Sequence, residues 1–291
     1  MSASCRLNQA INDKPVSHPF LCADYGGNMI RIVSSQGRIV WEYPATRPQD
    51  VWQLPNGNIF FSHLRGAMEV TRDKEVVWEY KTEKPNEVHA CQPLVGHNYL
   101  VALSGPCEIL EIDRKGTILK TVKLTTGQKK IHSQMRGARK LANGNYLVGH
   151  NMDKVVTEYD PSGNVIRTFT VQGNGHCAIR LPNGNTIIAC GDGHKLIEVD
   201  PDDKIVWELN ENDLEGNPLR FVAGIQRLPN GNTVVCNWGG HGHVGGQPQI
   251  FEVTPNKKVV WQVYDFEKFN TISNIQLLDV KGDVTKGDIL R

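Results

Sequence analysis

Short apolar runs separated by polar turns fill this chain, and one turn recurs with the same surroundings. The motif LPNGN begins at Leu54, Leu181 and Leu228, with the variants LANGN at Leu141 and LVGHN at Leu94. An apolar run such as NIFF, NTII or NTVV follows each copy. An Asn-Gly pair between two extended runs is typical of a β-hairpin with a type I′ turn, in which both central residues have positive φ. The pattern therefore predicts five inner hairpins.

A second hairpin follows each inner one and has the order strand, polar turn, strand. Examples are MEVTRDKEVVWEY and LIEVDPDDKIVWEL, and IRIVSSQGRIVWEY near the N-terminus brings the number of outer hairpins to six. The sixth inner pair is expected from NTISNIQLLD near the C-terminus and HPFLCAD near the N-terminus. Four-stranded units of about forty to fifty residues, repeated radially, are typical of β-propellers. The sequence predicts an all-β, six-bladed β-propeller closed by pairing of its N- and C-terminal strands, with seven blades as the alternative.

The domain organisation predicted from this pattern is simple. Residues 16–291 form a single propeller domain, and residues 1–15 form an N-terminal extension. No helical periodicity of useful length and no linker divides the repeated region.

The recurring LPNGN motif and the outer-strand pattern of VVWEY and IVWEL resemble the PQQ-like repeat propellers. They resemble the six-bladed arylsulfotransferase-like propellers more closely. The resemblance covers nearly the whole chain but concerns the scaffold, because no family's catalytic motif can be placed on it residue by residue. Quinoprotein dehydrogenases have eight blades and vicinal cysteines, and this chain has no adjacent cysteines. PQQ is therefore not expected as a cofactor.

Charge and composition exclude several classes of partner. Lys and Arg total 32 against 31 Asp and Glu, which leaves a net charge of +1 without a basic stripe. Neither nucleic acid nor an anionic membrane surface is expected to bind, and no apolar run is long enough for a transmembrane segment. Cys5 follows the small residues Ala3 and Ser4, as in bacterial lipid-anchored proteins. A periplasmic or secreted monomer, with a trimmed lipoprotein as one form of it, is favoured over a cytoplasmic protein.

Residues that recur in nearly every blade are expected to serve the scaffold. Glutamates occupy one repeat position and tryptophans another, so we interpret both sets as structural. The glutamates are Glu69, Glu111, Glu158, Glu198 and Glu252, and the tryptophans are Trp41, Trp78, Trp207 and Trp261.

If each Asn-Gly pair centres a two-residue turn, partners across a hairpin have residue numbers with a constant sum. Asp50 is then predicted to face His63, and Cys177 to face Cys190, either as a disulfide or as two free thiols. In the same way Gly137 is predicted to face His150, and Gly224 to face Asn237. These positions all lie at the end of the hairpin opposite the Asn-Gly turn.

Histidines depart from the repeat and gather at that same end. Eight of the ten are predicted to lie there, on one rim around the channel mouth, where loops on a rigid scaffold commonly form a site. The eight are His63, His89, His132, His150, His176, His194, His241 and His243. The candidate catalytic residues are His63, His89, His150 and His176. The candidate substrate-binding residues are Arg136, Asp50, Gln49, Trp52, Trp238 and Asn237.

The glycine-rich loop CNWGGHGHVGGQ places two of these histidines one residue apart. Imidazoles at this spacing can bind one metal ion, so His241, His243 and His194 are the candidate metal ligands. The alternatives are a metal-free binding or catalytic loop and a merely flexible loop. The cofactor is otherwise unknown.

A rim of imidazoles with Arg136 is suited to an anion. We therefore expect a lyase or transferase that acts on an anionic carbohydrate or a sulfate ester, with a small molecule or an oligosaccharide as ligand. Asp50 would orient His63, and affinity for an anion would fall as the pH rises past about 6.5. The alternative is a non-catalytic propeller that binds a glycan or a protein through the same rim.

Overall fold

The computed structural model describes residues 16–216 and 218–291 and contains 24 β-strands in six four-stranded antiparallel sheets. The N-terminal extension predicted for residues 1–15, with Cys5, lies outside the described residues. Six sheets confirm the prediction of a six-bladed β-propeller. The strands of the first three blades are β1 (Phe20–Asp24), β2 (Met29–Val33), β3 (Ile39–Pro44), β4 (Val51–Gln53), β5 (Ile59–His63), β6 (Gly66–Val70), β7 (Val76–Lys81), β8 (Glu87–Leu94), β9 (Asn98–Ser104), β10 (Glu108–Ile112) and β11 (Ile118–Lys123).

The second half of the chain repeats this order. Its strands are β12 (Met135–Lys140), β13 (Tyr146–His150), β14 (Val155–Tyr159), β15 (Val165–Thr170), β16 (Cys177–Arg180), β17 (Thr186–Ala189), β18 (Lys195–Val199), β19 (Ile205–Asn210), β20 (Val222–Arg227), β21 (Thr233–Asn237), β22 (Ile250–Val253), β23 (Val259–Val263) and β24 (Ile272–Leu277). Short 3-10 turns lie at Val95–His97, Ile131–Ser133 and Val284–Lys286.

The ring is closed by strands from opposite ends of the described chain. Strand β24 pairs with β1 as the innermost strand of the sheet β24-β1-β2-β3, which confirms the predicted closure. The innermost strands of the six blades are β24, β4, β8, β12, β16 and β20. All six begin at one end of the ring, which we call the mouth face, and run toward the Asn-Gly turns at the other end, the turn face.

The Asn-Gly turns differ from the predicted two-residue type. Leu54 N donates to Asn58 O and Gly57 N to Leu54 O, both at 2.9 Å, so three residues lie between the paired positions. Gly57 has φ 86°, and neither of the other two has positive φ. This is the geometry of a three-residue hairpin loop, in which a type I turn ends in a left-handed glycine.

The extra turn residue shifts every predicted cross-strand partner. Val51 pairs with Phe61, and Asp50 N donates to Ser62 Oγ, so the prediction that Asp50 faces His63 is wrong. Cys177 pairs with Ala189 rather than Cys190, and both thiols are free. The predicted pairing of Gly224 with Asn237 is also wrong.

Bulges add a second shift to two of the predicted pairings. His150 pairs with Met135 rather than with Gly137, and Asn237 pairs with Val222. In both blades the register changes within the inner strand, between residues 135 and 138 and between residues 222 and 225. A bulge places two residues opposite one and turns a side chain away from its regular direction.

The repeated glutamates connect neighbouring blades on the turn face. Glu158 accepts hydrogen bonds from Asn145 of its own blade at 2.7 Å and from Arg180 of the next blade at 2.6 Å. Glu198 does the same with Asn185 and Arg227, at 2.7 and 2.8 Å. The last Asn of the LPNGN motif is therefore part of a link between blades.

The repeated tryptophans make a similar connection near the outer edge. Trp41 Nε1 donates to the carbonyl of Arg72, and Trp78 Nε1 to that of Asp113, at 2.8 and 3.1 Å. Each acceptor lies in the outer turn of the following blade. The apolar core consists of clusters between adjacent sheets, as expected where both faces of each blade are covered.

Candidate functional site

The starts of three successive inner strands bring a group of ionisable side chains together at the mouth face. Glu87 and His89 begin β8, Arg136 begins β12, and His176 directly precedes β16. His132, in the 3-10 turn Ile131–Ser133, completes the group. We call these five residues the mouth cluster. The prediction that His89, Arg136 and His176 occupy equivalent positions on neighbouring inner strands agrees with their placement.

A backbone hydrogen bond draws two of these strand starts close to each other. Gly137 N donates to the carbonyl of His176 at 2.7 Å across the junction between the fourth and fifth blades. A Cβ atom at position 137 would lie 2.8 Å from that carbonyl oxygen, so the approach requires glycine. The bulge at residues 136 and 137 therefore fixes Arg136 beside His176.

Glu87 joins two histidines of the mouth cluster. Its Oε2 atom lies 2.9 Å from His89 Nε2 and 2.7 Å from His132 Nδ1, and the two imidazole centroids are 5.3 Å apart. Partial burial alone would raise the pKa of Glu87, but the hydrogen bonds from both imidazoles outweigh it and lower that pKa below its usual range. Glu87 is therefore an ionised carboxylate held between two imidazoles.

His89 and His176 are buried and neutral. Burial, followed by the positive charge of Arg136, lowers the pKa of each imidazole to about 3. The effect of one guanidinium on both rings shows that the three side chains share one electrostatic environment. Nδ1 of His89 and Nδ1 of His176 are both buried without a hydrogen-bond partner. Each ring therefore has a nitrogen that no protein group engages.

Arg136 is a buried cation without a counterion of its own. Its side chain donates one hydrogen bond, from Nη1 to the carbonyl of Met135 at 2.9 Å. No carboxylate of residues 16–216 and 218–291 lies within salt-bridge distance of its guanidinium. Burial lowers the pKa of Arg136 to about 10, and the negative charge of Glu87 offsets this only in part. The guanidinium is still protonated at neutral pH and is available to an anion.

Aromatic side chains adjoin the mouth cluster on the side of His176. The Phe221 centroid is 5.2 Å from that of His176 and 5.4 Å from that of His241. Trp238 packs edge-on against both Phe221 and His241, at 5.1 and 5.2 Å, and against Tyr25 at 5.8 Å. Tyr25, Phe221, Trp238 and His241 form what we call the aromatic wall. The predicted substrate-binding residue Trp238 thus lies beside the site.

Two predicted catalytic histidines lie at the mouth face but outside the mouth cluster. His150 Nε2 is 2.7 Å from the hydroxyl of Tyr159, and burial lowers its pKa to about 4. His63 lies within electrostatic range of Glu79 and Lys81 on the outer strand β7, and burial lowers its pKa. Neither imidazole acts on the Arg136 group. The structure therefore does not bring all four predicted catalytic histidines together.

Asp50 and Trp52 lie inside the channel rather than on the rim. Asp50 accepts from Arg139 Nη1 at 2.7 Å and Nη2 at 3.2 Å, and Arg291 Nη2 lies 3.7 Å from its Oδ1 atom. Arg139 and Arg291 both lie over the ring of Trp52, at 4.8 and 4.1 Å. Asn274 Nδ2 donates to Asp50 at 3.0 Å. We call these five residues the channel cluster, and in it Asp50 is paired with arginines instead of orienting His63.

The remaining predicted binding residues have structural contacts. The carbonyl of Gln49 accepts from Ser273 Oγ at 3.2 Å, at the junction of the first two blades. Asn237 accepts from Arg220 N at 2.8 Å and donates to the carbonyl of Pro248 at 3.1 Å. Both side chains are buried. Their contacts fix loops around the mouth.

The three predicted metal ligands have separate partners. His194 Nδ1 is 2.7 Å from Glu211, and His241 Nδ1 is 3.0 Å from Asp192. Together with His243 they do not form a group of donor atoms within 4.8 Å of one another. Over the described part of the chain, the group that meets this distance is Glu87, His89 and His132. The structure therefore does not bring His241, His243 and His194 together as a set of metal ligands.

Sequence reasoning missed Glu87, Tyr25 and Phe221. Glu87 falls in the sequence NEVHA, where Glu and His at positions i and i+2 of a strand share a face. That spacing was the signal that could have identified it. Tyr25 and Phe221 lie in connections outside the repeat, and no spacing marks them.

Comparison with known proteins gives the family. Residues 29–258 match the Mal s 1 allergenic protein-like family. The chain belongs to this family. The resemblance to PQQ-like and arylsulfotransferase-like propellers is not confirmed as the family, although the six-bladed fold predicted from the repeats is confirmed. A search of curated proteins finds no match.

Solved structures similar to this family member include one with substantial sequence identity. A protein of unknown function from Bacteroides caccae is 35% identical, with a TM-score of 0.83, over 89% of this chain and 98% of that one. Virginiamycin B lyase from Staphylococcus aureus, in a catalytically inactive histidine-to-alanine form with quinupristin, is 13% identical. Its TM-score is 0.60, over 89% of this chain and 87% of that one. At this identity the likeness shows the fold alone.

One structural finding concerns membranes. Within residues 16–216 and 218–291, no helix has the length and apolar character needed to cross a bilayer.

Proposed function

We propose that the mouth cluster is the active site of a lyase that acts on an anionic carbohydrate or a related anionic ester. The observation that carries this proposal is Arg136, a buried guanidinium with no carboxylate partner, whose charge acts on the imidazole of His176, a ring with an unpartnered Nδ1. A buried charge without a partner is costly, so it is retained where a ligand supplies the opposite charge. Perturbed ionisable groups in a concave site are candidates for catalysis.

The arrangement fits β-elimination next to a carboxylate. Arg136 would bind the substrate carboxylate and stabilise the negative charge that develops when the neighbouring carbon loses its proton. His176, neutral at physiological pH, would accept that proton on Nδ1. The C–O bond to the leaving group then breaks with its electron pair, and a C=C double bond forms in the product.

Binding of the anion would also adjust the basicity of His176. The positive charge of Arg136 is one cause of the low pKa of this imidazole. An anion on Arg136 cancels that charge, so the pKa of His176 rises toward the range useful for proton transfer. Substrate binding therefore prepares the base.

The pH dependence expected from the sequence needs revision on this basis. Loss of protons from the imidazoles would have weakened anion binding above about pH 6.5. Because burial and Arg136 hold the pKa values of His89 and His176 at about 3, both are neutral throughout the neutral range. We now expect affinity for a permanent anion to stay nearly constant between about pH 7 and 9.

The aromatic wall supports a ring-shaped substrate. Sugar rings bind against the faces and edges of aromatic side chains, and Trp238 is only partly buried. A likeness in fold to virginiamycin B lyase, whose histidine-to-alanine form is inactive, supports the idea that a fold of this kind can host histidine chemistry.

The test uses uronic-acid oligosaccharides and 4-nitrophenyl sulfate as probes. We expect unsaturated sugar product, detected by ultraviolet absorbance, from the wild-type protein and at least about a hundredfold less from Arg136→Ala and His176→Gln. His63→Gln is the matched control, since His63 is a buried imidazole at the same face outside the mouth cluster. Release of 4-nitrophenol with sulfate transfer to an acceptor would indicate a transferase instead.

Binding without turnover is the other informative outcome. If calorimetry shows binding of the oligosaccharides that Arg136→Ala abolishes, while no product forms, the protein is a glycan-binding propeller. Equal binding by Arg136→Ala and the wild type would refute the assignment of the site.

A further inference from the structure

We infer that Glu87, His89 and His132 form a binding site for one divalent transition-metal ion at the channel mouth. Their donor atoms, a carboxylate oxygen and two imidazole nitrogens, all lie within 4.8 Å of one another. This inference goes beyond the proposed lyase activity and does not depend on it.

The spacing of the donors is close to that of a coordination sphere. Glu87 Oε2 lies 2.9 Å from His89 Nε2 and 2.7 Å from His132 Nδ1. Ligands bound at about 2.0–2.2 Å from a common ion are themselves roughly 3 Å apart. Two of the three donor pairs are therefore already at the separation of bound ligands, the third pair lies within 4.8 Å, and an ion between the donors replaces the protons of the two hydrogen bonds.

Two separate elements hold the donors in place. Glu87 and His89 are on β8, and the register with β9 shifts between Val88 and Ala90, so that a bulge at His89 directs its side chain. His132 is in a 3-10 turn of the connection between β11 and β12. Two ligands from a strand and one from a fixed turn are a preformed set, which reduces the entropy lost on binding.

Charge also favours a cation at Glu87. Its carboxylate is mostly buried, with 15% of the side chain exposed, and its ion-pair partners in the described residues are the two histidines. A divalent metal ion between these donors would place a positive charge directly beside the carboxylate.

The donor set selects the kind of metal. Two imidazoles and one carboxylate are the ligands of zinc, iron, nickel and related ions, whereas Ca²⁺ and Mg²⁺ prefer oxygen donors alone. Three protein ligands leave positions open for water or a substrate, as in catalytic rather than structural zinc sites.

The site adjoins Arg136, and the two cations would repel each other. The charge of Arg136 already acts on His89, and that of Glu87 on Arg136. An anion bound between the metal ion and the guanidinium would relieve this repulsion. We therefore expect an anion and the metal ion each to strengthen the binding of the other by the same factor.

The test measures zinc directly. Purified protein is stripped with a chelator, and Zn²⁺ binding is followed by calorimetry and by metal analysis after dialysis. We expect one Zn²⁺ per chain, with affinity at least about a hundredfold lower in Glu87→Gln and in His132→Gln. The double variant His194→Gln/His241→Gln is the matched control and should bind zinc like the wild type, with melting curves confirming that all variants fold.

Cobalt gives an independent measurement of the ligands. Co²⁺ in the wild-type site should show visible absorption bands that Glu87→Gln alters and the control variant leaves unchanged. No zinc binding, or binding that the Glu87 and His132 variants retain, would overturn the inference. Anion binding measured with chelator present tests Arg136 separately, so failure of the metal site and failure of the proposed function give different results.

Discussion

Two buried arginines three residues apart on the same strand, β12, have opposite surroundings. Arg139 is paired with Asp50 through two hydrogen bonds, and although burial opposes it, this carboxylate raises its pKa. Arg136 has no carboxylate partner, and burial lowers its pKa to about 10. Arg139 thus has a carboxylate partner among the described residues, while the mouth cluster leaves a cation and two imidazole nitrogens without a protein partner. The contrast separates a structural use of a buried charge from a ligand-binding use.

The sharpest test of this contrast removes the carboxylate of the channel cluster. Asp50→Ala leaves the guanidiniums of Arg139 and Arg291 buried without a counterion, so we expect a loss of about 3–5 kcal/mol in the free energy of unfolding. Urea denaturation measures it. A loss below about 1 kcal/mol would mean that the channel cluster is not the electrostatic support that its contacts indicate.

Replacing the arginine of the mouth cluster should have a different result. Arg136→Met removes an unpaired buried charge and keeps the volume, so we expect unfolding free energy unchanged or higher by about 1 kcal/mol. Affinity for an anionic ligand should fall about thirtyfold, equivalent to about 2 kcal/mol, as measured by calorimetry. A large loss of stability would place Arg136 among the structural residues.

Acid should destabilise the protein through the mouth cluster. His176 faces Arg136, His89, the backbone of Ala223 and the ring of Phe221, and its pKa of about 3 lies below that of an unfolded histidine. Between these two values the unfolded state binds a proton that the folded state does not, so stability falls as the pH falls below about 6.5. Between about pH 7.5 and 5.5, the free energy of unfolding of His176→Gln should fall by about 1 kcal/mol less than that of the wild type. Urea denaturation of both proteins at the two pH values measures this difference. An equal loss of unfolding free energy in the variant and the wild type would mean that His176 is protonated in the folded state.

The smallest effect on stability is expected from replacing one of the repeated glutamates that link neighbouring blades. Glu158→Gln weakens one link between blades and should cost about 1 kcal/mol of unfolding free energy, with anion affinity unchanged. Glu198→Gln is its counterpart in the next blade and should behave alike. Weaker anion binding by either variant at unchanged stability would show that the repeated glutamates act beyond the scaffold.

The fold could be predicted because its signal is repeated. Five similar turns and six outer hairpins each supply the same information, so an error in one copy changes little. The register could not be predicted so well, since it depends on whether one or two turn residues have positive φ. In the LPNGN turn of the second blade, Gly57 alone has it, and the partner of Asp50 becomes Ser62 rather than His63.

The candidate site was predicted in part. His89, Arg136 and His176 could be placed together because they hold equivalent positions in successive blades. The bulge at residues 136 and 137 and the path of the loop to His132 have no counterpart in the repeat. Asp50 and Arg139 are 89 positions apart and meet across the channel. Such a contact forms only when the ring closes. A local sequence pattern does not show which distant residues then meet.

Closure of the ring also has a kinetic consequence. Ser273 near the start of β24 and Ala23 on β1 are 250 positions apart, yet they lie in one sheet. A contact between such distant segments is costly in loop entropy before it is formed, so the ring is expected to fold slowly. Until β24 arrives, the edge of β1 and the sides of the first and last blades are open to pairing with other chains. During synthesis most of this propeller would therefore be exposed to aggregation until its last strand has emerged.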